Sequence, residues 1–203
     1  MKKLLLVNTS INGDQGNSAK LAHQFVKQLA DNLTLSVTER DLMADDLPHL
    51  STGEMQAWMT PVAERSEAQQ KLSALSDRLI EEVKSADVIV IGMPMYNFGV
   101  PSVFKAWIDR IARAGVTFKY TEQGPVGLIE GKKVYVIAAR GGLYAGTPKD
   151  SQTQYIKDVM AFLGLADVEF VYAEGLAMGP EAANKGFNAA NEKILELIEK
   201  EVA

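Results

Sequence analysis

The stretch Val88–Pro94 reads VIVIGMP, is the most apolar run of the chain, and leads directly into MYNF at Met95–Phe98. A short run of β-branched and apolar residues that ends at a proline is typical of a strand buried on both faces of a parallel sheet. Open α/β sheets bind their ligands at the carboxyl ends of such strands. We therefore expect the polar and aromatic loop Met95–Phe98 to line a site for a flat aromatic ligand.

Short apolar runs alternate with helical periodicity along the rest of the chain. Strands are predicted at Lys3–Asn8, Leu33–Arg40, Asp87–Gly92, Lys133–Ala139 and Val168–Ala173. Helices are predicted at Ser18–Asp31, Glu67–Ser85, Ser102–Ala112, Ser151–Leu163 and Glu181–Val202. Five β/α alternations predict a doubly wound α/β fold with a five-stranded parallel sheet in the order 2-1-3-4-5. We expect residues 1–203 to form a single domain, since this length is close to the usual ceiling for one core.

Two segments exceed what this minimal fold requires. Asp41–Ser66 is long for a connection between a strand and a helix, and we expect a lid or a dimer arm there. In Val116–Leu128, alternating side chains flank a Gly-Pro turn, which predicts a β-hairpin that leaves the main sheet.

Composition excludes several classes of protein. The chain has 47% hydrophobic residues and a net charge of -5, which argues against a disordered tail and against a basic nucleic-acid binder. It has no cysteine, so disulfides, thiol nucleophiles and cysteine-ligated metals are excluded. His23 and His49 show no spacing typical of a metal site, and we expect none. The first apolar run breaks at Asn8, too early for a signal peptide, and no segment is long enough to span a bilayer, so a cytoplasmic protein is expected.

The loop after the first strand, Asn8–Lys20, carries small and hydroxylated residues into a helix. Unpaired N–H groups at a helix start can hold a phosphate without a cationic side chain, and the expected contacts are Ser10, Gly16, Asn17 and Ser18. The alternative is a polar loop in which Asn17 or Ser18 caps the helix. The Walker motif and the G-x-G-x-x-G fingerprint are both absent, which argues against an NTPase and a standard dinucleotide site.

A third polar segment, Ala139–Tyr144, follows the fourth strand and reads ARGGLY. Gly141 and Gly142 allow a close approach of the backbone to a ligand, and Arg140 can place a fixed charge near an electron-rich ring edge. An ordinary glycine turn is the alternative for this segment. Loops after strands one, three and four open on the same crevice, so a ligand there would find a partner for its phosphate, its ring and its ring edge.

These residues resemble the flavodoxin-like, FMN-dependent NADH:quinone reductases and azoreductases of bacteria. The resemblance covers essentially the whole chain and is carried by PMYNF at Pro94–Phe98, RAGVTFKYTEQGPVGL at Arg113–Leu128, RGG at Arg140–Gly142, AFLG at Ala161–Gly164 and AEGLAMGPE at Ala173–Glu181. The chain departs from the family pattern at Ala139, where serine is usual, and at Thr60, where arginine is usual.

The resemblance implies FMN as the cofactor and the residues that hold it. The implied flavin site consists of Ser10, Gly16, Asn17, Ser18, Met95, Tyr96, Asn97, Phe98, Ala139, Arg140, Gly141 and Gly142. It also implies a homodimer with two sites at the interface, in which Phe118, Tyr120 and Phe162 enclose the substrate.

The resemblance further implies a ping-pong oxidoreductase that takes electrons from NADH, or from NADPH, and passes them to quinones or aromatic azo compounds. No side-chain acid or nucleophile is required, because the cofactor carries the chemistry. A flavodoxin-type electron carrier is the alternative function. Such carriers are usually shorter and strongly acidic, and a net charge of -5 with two added segments argues against one.

Overall fold

The computed structural model describes residues 1–202. Its strands are β1 (Lys2–Asn8), β2 (Leu35–Asp41), β3 (Val88–Pro94), β4 (Phe118–Thr121), β5 (Gly124–Gly127), β6 (Lys133–Ala139) and β7 (Asp167–Ala173). Its α-helices are α1 (Asn17–Ala30), α2 (Thr52–Met59), α3 (Glu67–Ser85), α4 (Ser102–Ile111), α5 (Ser151–Leu163) and α6 (Pro180–Val202). All ten predicted helices and strands are present, with ends that differ by up to two residues.

Five strands form one parallel sheet in the order β2-β1-β3-β6-β7. This confirms the predicted order 2-1-3-4-5, because β4 and β5 lie outside the sheet. Every residue of the central strand β3 is buried, as the unbroken apolar run predicted. One core cluster, which includes Trp107, packs α3, α4 and α5 on one face, and a second, which includes Phe25, packs α1 and α6 on the other.

The predicted hairpin is confirmed as the antiparallel pair β4–β5. It packs tightly against the end of α5, since a Cβ on Gly127 would lie 2.0 Å from the backbone nitrogen of Gly164. Gly164 ends α5 in the left-handed conformation, at φ +95°. The hairpin is therefore fixed to the carboxyl end of α5.

The long segment Asp41–Ser66 contains the helix α2, which sequence analysis did not predict. Ser51 caps it and forms a reciprocal capping box with Glu54. The same Glu54 pairs with Arg110 of α4 through Nε at 2.9 Å and Nη2 at 2.8 Å, and both side chains are buried. This ion pair fixes the start of α2 to the body of the protein. Among residues 1–202, no helix combines the length and apolar character needed to cross a bilayer.

Candidate functional site

A pocket of about 240 Å³ opens at the carboxyl ends of β1, β3 and β6. Most of the residues predicted for the cofactor line it: Ser10, Gly16, Asn17, Ser18, Met95, Tyr96, Ala139, Arg140 and Gly141. Of the other three, Asn97 and Gly142 each follow a lining residue in sequence, whereas Phe98 and its two neighbours are not part of the lining. The structure thus brings the three predicted loops to one crevice.

The part of the pocket formed by the first loop is suited to an anion. Gly16 is the N-cap of α1 and provides no side-chain cap, so the N–H groups of the first helical turn are not satisfied by a capping side chain. The alternative in which Asn17 or Ser18 caps this helix is therefore wrong. The Ser18 hydroxyl is buried without a hydrogen-bond partner. An unpaired buried hydroxyl beside uncapped N–H groups at a positive helix end is suited to a phosphate.

Gly16 is required by the close approach of the loop to itself. A Cβ at this position would lie 2.1 Å from Oγ of Ser10. Ser10 is buried and its Oγ accepts a hydrogen bond from the N–H of Asn12 at 3.1 Å. Any larger residue at position 16 would displace Ser10 or the helix start. We call Ser10, Gly16, Asn17 and Ser18 the anion cradle.

The Met95–Phe98 turn has an unusual backbone. Asn97 and Phe98 adopt left-handed φ angles of 49° and 64°, which cost energy for residues with a side chain. Tyr96 and Gly99 close the turn with two backbone hydrogen bonds, of 3.2 and 2.9 Å. The N–H groups of Asn97 and Phe98 donate to no backbone carbonyl within residues 1–202. They are available to a ligand.

The guanidinium of Arg140 lies away from the position that sequence analysis expected. Its side chain is fully buried and pairs with Asp150 at 3.0 Å and with Glu174 at 3.1 Å. The group also lies over the ring of Tyr172, 4.8 Å from its centroid. Two carboxylates offset its charge, so Arg140 does not present the unpaired positive charge that the expected role at a ring edge would use. Arg140 lines the pocket through its backbone.

The network around Arg140 changes the ionisation of its carboxylate partner. Burial alone would raise the pKa of the Asp150 carboxyl, but hydrogen bonds from Arg140 and Thr153 outweigh this and hold the pKa below its ordinary value. Glu174 also accepts the N–H groups of Tyr144 and Ala145, each at 2.9 Å. The network therefore fixes the loop that follows Arg140.

The two glycines of this loop have different surroundings. A Cβ on Gly142 would lie 2.8 Å from the outer ring atoms of Tyr144, so a larger residue there would have to move that side chain. Gly141 is exposed and lines the pocket. Neither N–H group donates to a backbone carbonyl in the described part of the chain.

The three predicted substrate aromatics are brought together, but not at the pocket. Phe118 packs on Phe162 with ring centroids 4.2 Å apart and on Tyr120 at 5.5 Å. Phe118 is buried, whereas Tyr120 is 73% exposed. Ser151, at the start of α5, bonds to the carbonyl of Phe98, and Phe162 is eleven residues farther along the helix. At the α-helical rise this is about 16 Å, so the aromatic cluster does not wall the pocket of its own chain.

Four residues that line the pocket were not among the predicted contacts: Asn12, Pro94, Leu176 and Ala177. Leu176 and Ala177 follow β7, and their amides bond to the carbonyls of Arg140 and Gly141 at 3.2 and 3.0 Å. Their position after a predicted strand was a signal that could have identified them, because the carboxyl ends of parallel strands meet at one edge.

One group of candidate metal ligands lies outside the pocket. His23 Nε2 is 2.8 Å from Glu39 Oε1, and Asp14 is near both at the protein surface. His49 is not part of this group. That His23 and His49 form no metal pair stays a prediction.

Comparisons with known proteins agree with this fold. The family model of the flavodoxin-like fold matches residues 2–198. An FMN-dependent NADH:quinone oxidoreductase of Alteromonas mediterranea is 54% identical over 97% of this chain and 98% of its own length. A protein of the same name from Cellvibrio japonicus is 48% identical over the whole of both chains.

Solved structures give the same result. The azoreductase from Bacillus anthracis superposes with a TM-score of 0.89 at 31% identity, covering 98% of this chain and 100% of its own. An FMN-dependent NADH-azoreductase from the same species, solved in complex with FMN, superposes with a TM-score of 0.90 at 28% identity over all of both chains. The chain therefore belongs to the family of flavodoxin-like fold that includes the FMN-dependent NADH:quinone oxidoreductases.

Proposed function

We propose that this protein is an FMN-dependent oxidoreductase that transfers electrons from NADH to quinones and to aromatic azo compounds. The observation that carries the proposal is the anion cradle, in which Gly16 leaves the start of α1 uncapped and Ser18 presents a buried, unpaired hydroxyl. The cradle offers N–H groups and one hydroxyl in place of a lysine, which suits the single phosphate of FMN. The relatives that match nearly the whole chain are named for this cofactor and this electron donor.

The residues at the pocket fit the remaining parts of FMN. Met95, Tyr96, Asn97 and Phe98 would lie along the isoalloxazine, and the segment from Ala139 to Gly142 near its pyrimidine end. When bound, FMN supplies two-electron chemistry between a hydride donor and an acceptor. The free N–H groups of Asn97 and Phe98 would hold the bound ring on the side of this turn. The N–H groups of Gly141 and Gly142 would stabilise negative charge that develops on a bound ring, while the charge of Arg140 is already paired with Asp150 and Glu174.

The reaction needs no protein acid, base or nucleophile, and we assign no catalytic side chain. The one pocket would have to take NADH and the acceptor in turn, so we expect a ping-pong order in which the oxidised nicotinamide leaves before the acceptor binds. A quinone takes two electrons and two protons and becomes a quinol. An azo bond takes four electrons and four protons over two cycles, and two amines leave. NADPH as an alternative donor and a cytoplasmic location stay predictions.

We propose further that the protein acts as a homodimer in which each pocket is completed by its partner. The expected substrate residues are Phe118, Tyr120 and Phe162. They cluster near the carboxyl end of α5, whereas the pocket of the same chain lies near the start of this helix. The exposed ring of Tyr120 is free to face a second subunit. In this arrangement the aromatic cluster of one subunit covers the ring site of the other and excludes water from it.

The first experiment is to purify the protein and record its visible spectrum. We expect a yellow protein that releases FMN on heating, identified by chromatography, and that NADH bleaches without oxygen. Addition of a quinone should restore the colour. Recovery of FAD, or a colourless protein that does not bind added FMN, would contradict the proposal. A yellow protein that NADH does not bleach would support the flavodoxin-type carrier instead.

A further inference from the structure

Gln152 lies beneath the pocket and contacts both of the loops that would hold the flavin ring. It is the second residue of α5 and is 1% exposed. Its Nε2 donates to the carbonyl of Pro94 at 2.9 Å and to that of Gly99 at 3.2 Å. These two carbonyls flank the Met95–Phe98 turn on either side. One carboxamide therefore holds the turn at both ends.

The oxygen of the same carboxamide extends the connection to the other loop. Gln152 Oε1 accepts a hydrogen bond from Arg140 Nε at 3.3 Å. The four remaining N–H groups of Arg140 bond to Asp150, Glu174 and Thr153 at 2.9–3.1 Å. All five guanidinium donors are thus used, and the group is rigidly held. Gln152 therefore connects the turn to a fixed point at the start of the Gly141–Gly142 segment.

The turn needs such support because its backbone is strained. Two consecutive non-glycine residues with left-handed φ persist only where surrounding contacts hold them. Backbone bonds between Tyr96 and Gly99 close the turn, and the N–H of Met95 donates to the carbonyl of Ala139 at 3.1 Å, which ties only the start of the turn to the other loop. Ser151 bonds to the carbonyl of Phe98 from the exposed side, and Gln152 donates from the buried side to the carbonyls on either side of the turn.

We propose that Gln152 is a positioning residue for the flavin site: its carboxamide fixes the Met95–Phe98 turn relative to the Gly141–Gly142 segment, so that the free N–H groups of both face one bound ring. This inference rests on the proposed function. Gln152 is not among the residues that line the pocket. Its effect passes through the backbone of the turn and through Arg140.

The test compares Gln152→Met with Gln154→Met as a matched control. Methionine has a side chain of similar length to glutamine, so Gln152→Met removes all three hydrogen bonds with little change in size. Gln154 lies on the exposed face of the same helix and bonds to Asp158. For Gln152→Met we expect the dissociation constant for FMN to rise roughly tenfold or more, as the loss of two or three hydrogen bonds predicts. We also expect a changed visible circular dichroism spectrum of the bound flavin and a shifted reduction potential. Gln154→Met should match the wild type in all three.

A second variant separates the two halves of the carboxamide. Gln152→Glu keeps an acceptor for Arg140 but removes the donors to Pro94 and Gly99, and we expect it to be impaired like Gln152→Met. Wild-type flavin affinity, dichroism and potential in either variant would overturn the inference, even where the melting temperature falls, because a merely structural glutamine would affect folding alone. If the wild-type protein itself neither holds FMN nor is bleached by NADH, the proposed function fails first.

Discussion

Gly16 and Ser18 contribute to the anion cradle in different ways, and substitutions should separate them. Ser18→Ala removes one hydroxyl and should cost on the order of 1–2 kcal/mol of FMN affinity, the value of a hydrogen bond to a charged group. Gly16→Val should give a colourless protein, because even its Cβ would lie 2.1 Å from Ser10 Oγ and would displace the amides at the start of α1. Titration with FMN, followed by flavin fluorescence, measures both effects.

A matched control for this pair is Gly53→Ala on α2, where a Cβ would have its nearest neighbour at an ordinary 3.7 Å. It should bind FMN like the wild type. Stoichiometric FMN in both cradle variants would place the phosphate elsewhere.

The positions of the pocket residues could be predicted from the sequence, but the directions of their side chains could not. The glycine, serine and asparagine positions of the cradle followed from local rules for helix starts. The side-chain direction of Arg140 did not, because its partners Asp150 and Glu174 lie 10 and 34 residues away in sequence. Gln152 was missed for the same reason, since its acceptors precede it by more than 50 residues.

Asp150, the N-cap of helix α5, provides a test of how the charge beside Arg140 stabilises the protein. Asp150→Asn keeps an oxygen for the N–H of Thr153 but removes the charge that faces Arg140. Because Glu174 still pairs with Arg140, we expect a loss of roughly 2 kcal/mol of stability at neutral pH, less than the ~3–5 kcal/mol of a fully broken buried pair. Urea unfolding of both proteins measures this difference.

The difference in stability between wild type and Asp150→Asn should depend on pH in a defined direction. The folded pKa of Asp150 lies below its ordinary value, so the stabilisation is complete above about pH 4 and is lost as the pH falls through the lowered pKa. The stability gap between wild type and Asp150→Asn should therefore close only in acid. Glu196→Gln is the control, since its pairs with Lys193 and Lys200 lie in solvent and should matter little. A gap that stays constant down to pH 2 would show that the charge is not responsible.

Elements with a clear period were predicted within two residues at each end, because a buried strand such as β3 or an amphipathic helix such as α3 repeats one signal over many positions. Helix α2 was not predicted. It has only eight residues with a glycine in the first turn, and its one strong signal is the capping box of Ser51 and Glu54. Its anchoring to Arg110 is a tertiary contact that no local pattern contains.

A substitution of Phe162 can show whether this side chain serves the core of its own subunit or the dimer. It is half-buried against Phe118 at the end of α5. We expect Phe162→Ala to remain dimeric and yellow, to melt within a few degrees of wild type, and to show a changed turnover or KM for bulky quinones and azo dyes. A core phenylalanine would instead cost ~3–5 kcal/mol of stability. A large fall in melting temperature with unchanged acceptor kinetics would assign Phe162 to the core.

The distance along α5 between the aromatic cluster and the pocket of the same chain has a genetic consequence. If Gly16→Val and Phe162→Ala subunits are produced together, a mixed dimer combines both defects in one site and leaves the other site with two intact contributions. Two alleles that each impair the reaction with a bulky acceptor should then complement each other, giving up to one normal site per mixed dimer. Complementation of this kind requires shared sites, and two self-sufficient subunits would show none.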